Sequence, residues 1–152
     1  METYPAIAVA NYFVEKANRL GEVITNLKVQ KLLYFAHGWT LALARKPLIA
    51  DRIQAWKNGP VVPLVYHAYK GFGRENIPMS SRSFPIKAHD RRLLDDIYRI
   101  YGPISAENLS ELTHDKGSPW HMTYDQEVLD KEIANGIIQD YFFDLSRRAN
   151  GQ

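Results

Sequence analysis

Apolar positions recur at helical spacing in six stretches of the chain and at strand spacing in very few. In the densest stretch, Asn26–Ala44, one stripe is formed by Val29, Leu32, Leu33, Ala36, Thr40 and Leu43, and Phe35, Trp39 and Ala42 widen it. Leu27, Tyr34 and Leu41 fall on the opposite side, so this helix is apolar nearly all round and belongs inside a protein with neighbours on several faces. Lys28, Gln30, Lys31 and His37 interrupt it too often for a bilayer span. Thr25 or Asn26 can cap its start, and Lys46-Pro47 stops it soon after Arg45.

The remaining pattern places shorter elements around this centre. Pro5 opens a first helix carrying Ile7, Ala10, Phe13, Val14 and Ala17, and Gly21 closes it. Pro47-Leu48-Ile49 and Arg52-Ile53-Gln54-Ala55-Trp56 read as two extended runs around Ala50-Asp51, a small hairpin that must lean on the helices. In Ala55-Trp56-Lys57-Asn58-Gly59-Pro60-Val61-Val62-Pro63, Asn-Gly supplies a turn, while Pro60 and Pro63 fix two backbone angles, so Gly59, Pro60 and Pro63 are expected to be architectural.

A helix with Val62, Val65, Tyr66 and Tyr69 on its buried face follows, stopped by Gly71-Phe72-Gly73. Residues 74–89 form a polar surface loop. Asp90 caps a helix with Leu93, Leu94, Ile97 and Tyr101, Ser105 caps another with Leu109 and Leu112, and Gly117-Ser118-Pro119 breaks the latter. Residues 125–134 have no clear period, and Ile137, Ile138, Tyr141, Phe142 and Leu145 give a final amphipathic helix, Asn135–Ala149. The expected fold is mainly α: one compact domain over residues 1–152, core about 5–146, with about six helices around a buried central helix and one small β-hairpin.

Composition narrows the class. The 152 residues suffice for a core without staples, and the absence of cysteine removes disulfides and thiol chemistry and suits a reducing compartment. The Met-Glu-Thr-Tyr-Pro start lacks the positive charge of a signal peptide, so a cytoplasmic protein is expected. A net charge of +2 does not by itself point to nucleic acid. Nine tyrosines, six phenylalanines and three tryptophans exceed what a small core needs, which points to a partly apolar surface.

Candidate chemistry is sparse. His37, His67, His89, His114 and His121 lack the i, i+4 spacing of two ligands on one helical face, so no metal site is expected. Asp95-Asp96 and Asp144 read as solvated faces, and Lys70-Gly71-Phe72-Gly73 sits at a helix end rather than at a phosphate-binding N-terminus. No catalytic residue and no cofactor is expected. Helices 90–101 and 105–114 have the proportions of a helix-turn-helix, with the hairpin as a conceivable wing. Against that, the second helix offers Glu107, Asn108, Glu111 and Asp115 where a major-groove helix should be basic. Arg91, Arg92, Arg99, Arg147 and Arg148 leave a basic surface open to an acidic partner or RNA.

Three segments carry a resemblance: Leu27-Lys28-Val29-Gln30-Lys31-Leu32-Leu33-Tyr34-Phe35-Ala36-His37-Gly38, then the run from Ala55-Trp56 through Gly59-Pro60-Val61 to Tyr66, then Ser118-Pro119-Trp120. In order and spacing they resemble the Panacea domain, the SocA-like antitoxin family that also includes phage-associated proteins. The resemblance implies a mostly helical fold with a small hairpin and members that neutralise toxins of very different kinds encoded beside them. With the aromatic surplus and the missing catalytic constellation, it leads to the expectation of an antitoxin that neutralises its cognate toxin by direct stoichiometric binding. It also implies, for one member, delivery of the toxin to a protease. It supplies no catalytic residues. The candidate partner-binding residues are Trp39, Trp56, Lys57, Asn58, Tyr66, Tyr69 and Trp120, because tryptophan and tyrosine bury large areas while freezing few rotors. Trp39 and Trp56 have a competing reading as core residues, Trp56 covering the hairpin against the central helix. An operon regulator that binds nucleic acid and a proteolytic adaptor are the alternatives to direct neutralisation.

Overall fold

Helix α1 (Ala6–Arg19) and helix α2 (Asn26–Ala44) begin the chain, followed by strands β1 (Gln54–Trp56) and β2 (Gly59–Val61) and helix α3 (Pro63–Tyr69). After a single 3-10 turn come α4 (Ala88–Tyr101), α5 (Ala106–Thr113), the short α6 (Pro119–Thr123) and α7 (Asn135–Ala149). The computed structural model describes residues 3–151. The mainly helical fold with one small antiparallel hairpin agrees with the sequence reading. The short α6, nucleated by the Ser118 hydroxyl accepting from the His121 N–H, is additional to it.

Helix α2 is the axle. It packs against α1, α3, α4, α5, α7 and β2, and its buried residues include Gln30, Lys31 and His37 beside the aliphatic ones. The Thr25 hydroxyl accepts from the Lys28 N–H at the start, and Arg45 adopts a left-handed conformation at the end. Gly38 lets α7 come close: a Cβ there would collide with the ring of Phe142, which is fully buried among Tyr34, Phe35 and Trp39. His37 is a buried junction. Its Nδ1 accepts from the Leu48 N–H at 3.3 Å, so Nε2 donates to Asn135 Oδ1 at 2.9 Å, and burial lowers its pKa.

Several local expectations need correction. The hairpin is not folded around Ala50-Asp51. Ile49 instead bridges Tyr4 in parallel, and β1 pairs with β2 through the two-residue Lys57-Asn58 loop. Leu43, expected on the core stripe, is exposed instead. Helix α4 starts at Ala88, and Asp90, inside its first turn, accepts from the Tyr4 hydroxyl at 2.6 Å instead of capping.

The polar segment after α3 is pinned to the body. Ile77 is buried, its N–H donates to the Ile24 carbonyl at 2.8 Å, and the Ile24 N–H donates to Asn76 Oδ1 at 2.8 Å. Residues 125–134 are resolved into an edge beside the hairpin: the Ala55 N–H donates to the Lys131 carbonyl, and the Ile133 N–H to that of Ile53, each at 2.8 Å.

Candidate docking site around the hairpin

In the β1–β2 register Trp56 faces Gly59, Ala55 faces Pro60 and Gln54 faces Val61. Trp56 and Gly59 close the two-residue loop, so the next pair is the non-hydrogen-bonded kind, whose backbone groups point away from the partner strand. Pro60 occupies that slot, and the ladder loses nothing by its missing N–H. Its outward carbonyl accepts from Lys31 Nζ at 3.0 Å, and the next free backbone donor, the Val62 N–H, is taken by Gln30 Oε1 at 2.9 Å. Gln30 Nε2 donates to Asn26 Oδ1, and Asn26 Nδ2 to the Tyr66 carbonyl, so one face of α2 holds both β2 and α3.

The loop is fastened from the other side as well. Trp120 Nε1 donates to the Trp56 carbonyl at 2.6 Å, and the Ser110 hydroxyl to that of Asn58 at 2.5 Å. Gly59 has φ of 117°, and a Cβ there would sit 2.8 Å from Thr113 Oγ1 and 2.9 Å from Lys31 Cε. Both the backbone and the space require glycine.

Lys31 is the unusual member. It is fully buried with no carboxylate partner among the described residues, and desolvation lowers its pKa to about 7. The pKa of nearby His114 is also lowered, chiefly by burial and then by the Lys31 charge, and its ring packs edge-on against Trp120 with centroids 3.9 Å apart.

Beside the hairpin lies a cavity of about 720 Å³, bounded by the start of α2, the Trp56-Lys57-Asn58 turn, α3 with the residues after it, and the start of α5. The Trp56 and Tyr66 rings form one wall, edge to face at 4.9 Å, and Lys57, Lys70, Arg74 and Glu107 supply charge.

The candidate partner-binding residues therefore divide. Trp56, Lys57, Asn58 and Tyr66 come together at the cavity. Trp56 is partly buried, its ring edge to face with Tyr66. Trp39 lies elsewhere: its Nε1 donates to the Tyr101 hydroxyl at 2.8 Å and its ring packs on Phe142. Tyr69 is half-buried against the core, where burial lifts its phenol to about 12. Trp120 stacks on Tyr124 and serves the site through its bond to Trp56. Pro63 takes the first position of α3, where no N–H is needed.

Gln30, Lys31, Ser110, Lys70, Arg74 and Glu107 were not singled out as site residues from sequence. The one sequence cue for Lys31 is that it falls four residues after Leu27 and three before Tyr34 in a helix that is apolar nearly all round, a side it shares with Lys28. Position gives no comparable signal for the rest, which the fold assembles from separate elements.

Among the described residues, no group of three His, Asp or Glu side chains is placed to hold a metal ion, and no helix is long and apolar enough to cross a membrane. The would-be helix-turn-helix exposes Glu107, Asn108 and Glu111 on α5, and the hairpin leans on that helix through Ser110. Of the basic residues, Arg91 donates to the Ile86 carbonyl, and Arg99 and Arg148 pair with Asp96 and Asp144. The site thus presents aromatic and cationic side chains around one cavity.

The profile of the family described as antitoxin SocA-like, Panacea domain, matches residues 29–121, a span that contains the Lys31–Pro60, Gln30–Val62 and Trp56–Trp120 connections. The chain is also 34% identical to Antitoxin SocA of Caulobacter vibrioides (strain NA1000 / CB15N), over 93% of this chain and 84% of that one. No solved structure gives a significant match. On both counts, this chain belongs to the SocA-like antitoxin family, the family of the Panacea domain.

Proposed function

We propose that the protein is an antitoxin that neutralises a partner toxin by direct stoichiometric binding and does no chemistry of its own. The observation that carries this is the relation, over nearly the whole chain, to a protein called an antitoxin. The geometry supports the docking part of the reading. A surface whose turn is tied down by Lys31, Gln30, Ser110 and Trp120 loses little conformational entropy when a partner lands on it.

Co-expression with the neighbouring reading frame tests the proposal. The neighbour should arrest growth alone, growth should return with this protein, and the two should elute as one complex in size-exclusion chromatography. A harmless neighbour, or rescue without a complex, contradicts it. Rescue by a shortened toxin half-life would identify a proteolytic adaptor instead. Growth arrest relieved only through repression of the operon would identify a nucleic-acid-binding regulator.

A further inference from the structure

We infer that the cavity between the hairpin, α3 and α5 receives a short acidic segment of the toxin that carries an aromatic or large apolar side chain. This rests on the antitoxin reading and adds the chemistry of the docked element. The cavity volume of about 720 Å³ lies in the range that encloses a compact ligand or a few residues of peptide.

Its floor is already satisfied: both polar atoms of the Gln30 side chain and both of Asn26 are committed within the protein. The floor therefore gives shape, and selectivity falls to the wall and rim. The wall is the Trp56–Tyr66 pair, which suits a ring or branched side chain. On the rim, Lys57, Lys70 and Arg74 make no ion pair among the described residues and face the single carboxylate of Glu107. A net excess of two positive charges attracts one or two carboxylates and steers their approach.

A nucleic-acid strand fits this surface less well. It would bring a phosphate with every nucleotide past Glu107, Asn108 and Glu111, exposed along α5.

Two measurements on the full-length protein test the inference. In the first, the capped peptide Glu-Phe-Glu-Asp, its neutral counterpart Gln-Phe-Gln-Asn and a short oligothymidylate are titrated separately, and the Trp56 indole N–H resonance, assigned with Trp56→Phe, is followed. The acidic peptide should shift it saturably and bind about tenfold or more tighter than either other probe, with the difference shrinking as salt is added. Absence of saturable binding, equal binding of the neutral peptide, or tighter binding of the oligonucleotide overturns the inference.

In the second, the triple reversal Lys57→Glu, Lys70→Glu and Arg74→Glu is compared with Arg92→Glu and Arg147→Glu in the toxin co-expression assay. Only the triple variant should lose rescue and complex formation, with its circular dichroism spectrum unchanged. Rescue by the triple variant at the wild-type level overturns the inference and leaves the antitoxin reading intact. Peptide binding without any toxin rescue by the wild-type protein overturns the antitoxin reading, and with it the identification of the segment as the toxin's.

Discussion

Lys31 Nζ lies 3.0 Å from the Pro60 carbonyl oxygen, inside the protein and without a counter-charge among the described residues. Two of the sequence segments that mark the family meet in that bond, and the third reaches the same strand pair through Trp120 and the Trp56 carbonyl. The signature residues thus read as a mounting. They fix the position of a hairpin whose own two three-residue strands would be marginal alone.

The buried lysine makes stability depend on pH. Its folded pKa of about 7 lies below the ordinary 10.5, so above pH 7 the unfolded chain holds a proton that the folded one has lost. Stability should therefore rise from pH 7 towards 10, this group contributing up to about 1.4 kcal/mol per pH unit, while below 7 the full desolvation penalty is present. Urea unfolding at pH 7, 8 and 9 should show the rise in the wild type and a flattened dependence in Lys31→Met.

Gly38 sets the approach of α7 to α2. Gly38→Ala should raise helix propensity, yet destabilise by about 1–3 kcal/mol, because the new methyl meets the Phe142 ring in a packed core. Adding Phe142→Leu should recover part of that loss, and thermal unfolding of the single and double variants measures it. Equal stability of Gly38→Ala and wild type would mean that the two helices part without cost.

Helices α1, α2 and α7 were legible because their apolar period runs three turns or more, and α5 because Ser105 announces its start by accepting from the Asn108 N–H. The hairpin was misplaced for a physical reason. Pro60 argues against a strand, and only the register shows that its missing N–H falls where the ladder needs none. The cavity was half legible: its Trp56-Lys57-Asn58 rim is one run of sequence. Lys70, Arg74 and Glu107 join it only because α3 and α5 pack on the same end of α2.

The Trp120 indole N–H is the tie on the Trp56 side of the hairpin. Trp120→Phe keeps most of the apolar surface and removes the 2.6 Å bond to the Trp56 carbonyl, so it should lower stability by about 1 kcal/mol. Amide hydrogen exchange should speed up across residues 54–61 while the centre of α2 stays protected. Exchange accelerated uniformly across the protein would show that the hairpin and the core do not open separately.

Affinity for DNA should be weak and independent of sequence. With acids along the exposed side of α5, retardation of the operon's own promoter should be no stronger than that of unrelated DNA and should vanish as salt rises. Tight, promoter-specific retardation would return the helix pair α4–α5 to the role of a DNA reader.

Hydrogen exchange of the purified complex with the toxin, set against the free protein, tests the docking surface most directly. Slowed exchange confined to residues 54–74 and the first turn of α5, with the outer face of α4 unchanged, is the predicted result. Protection on α4 or α7 with the hairpin exchanging as in the free protein would contradict it.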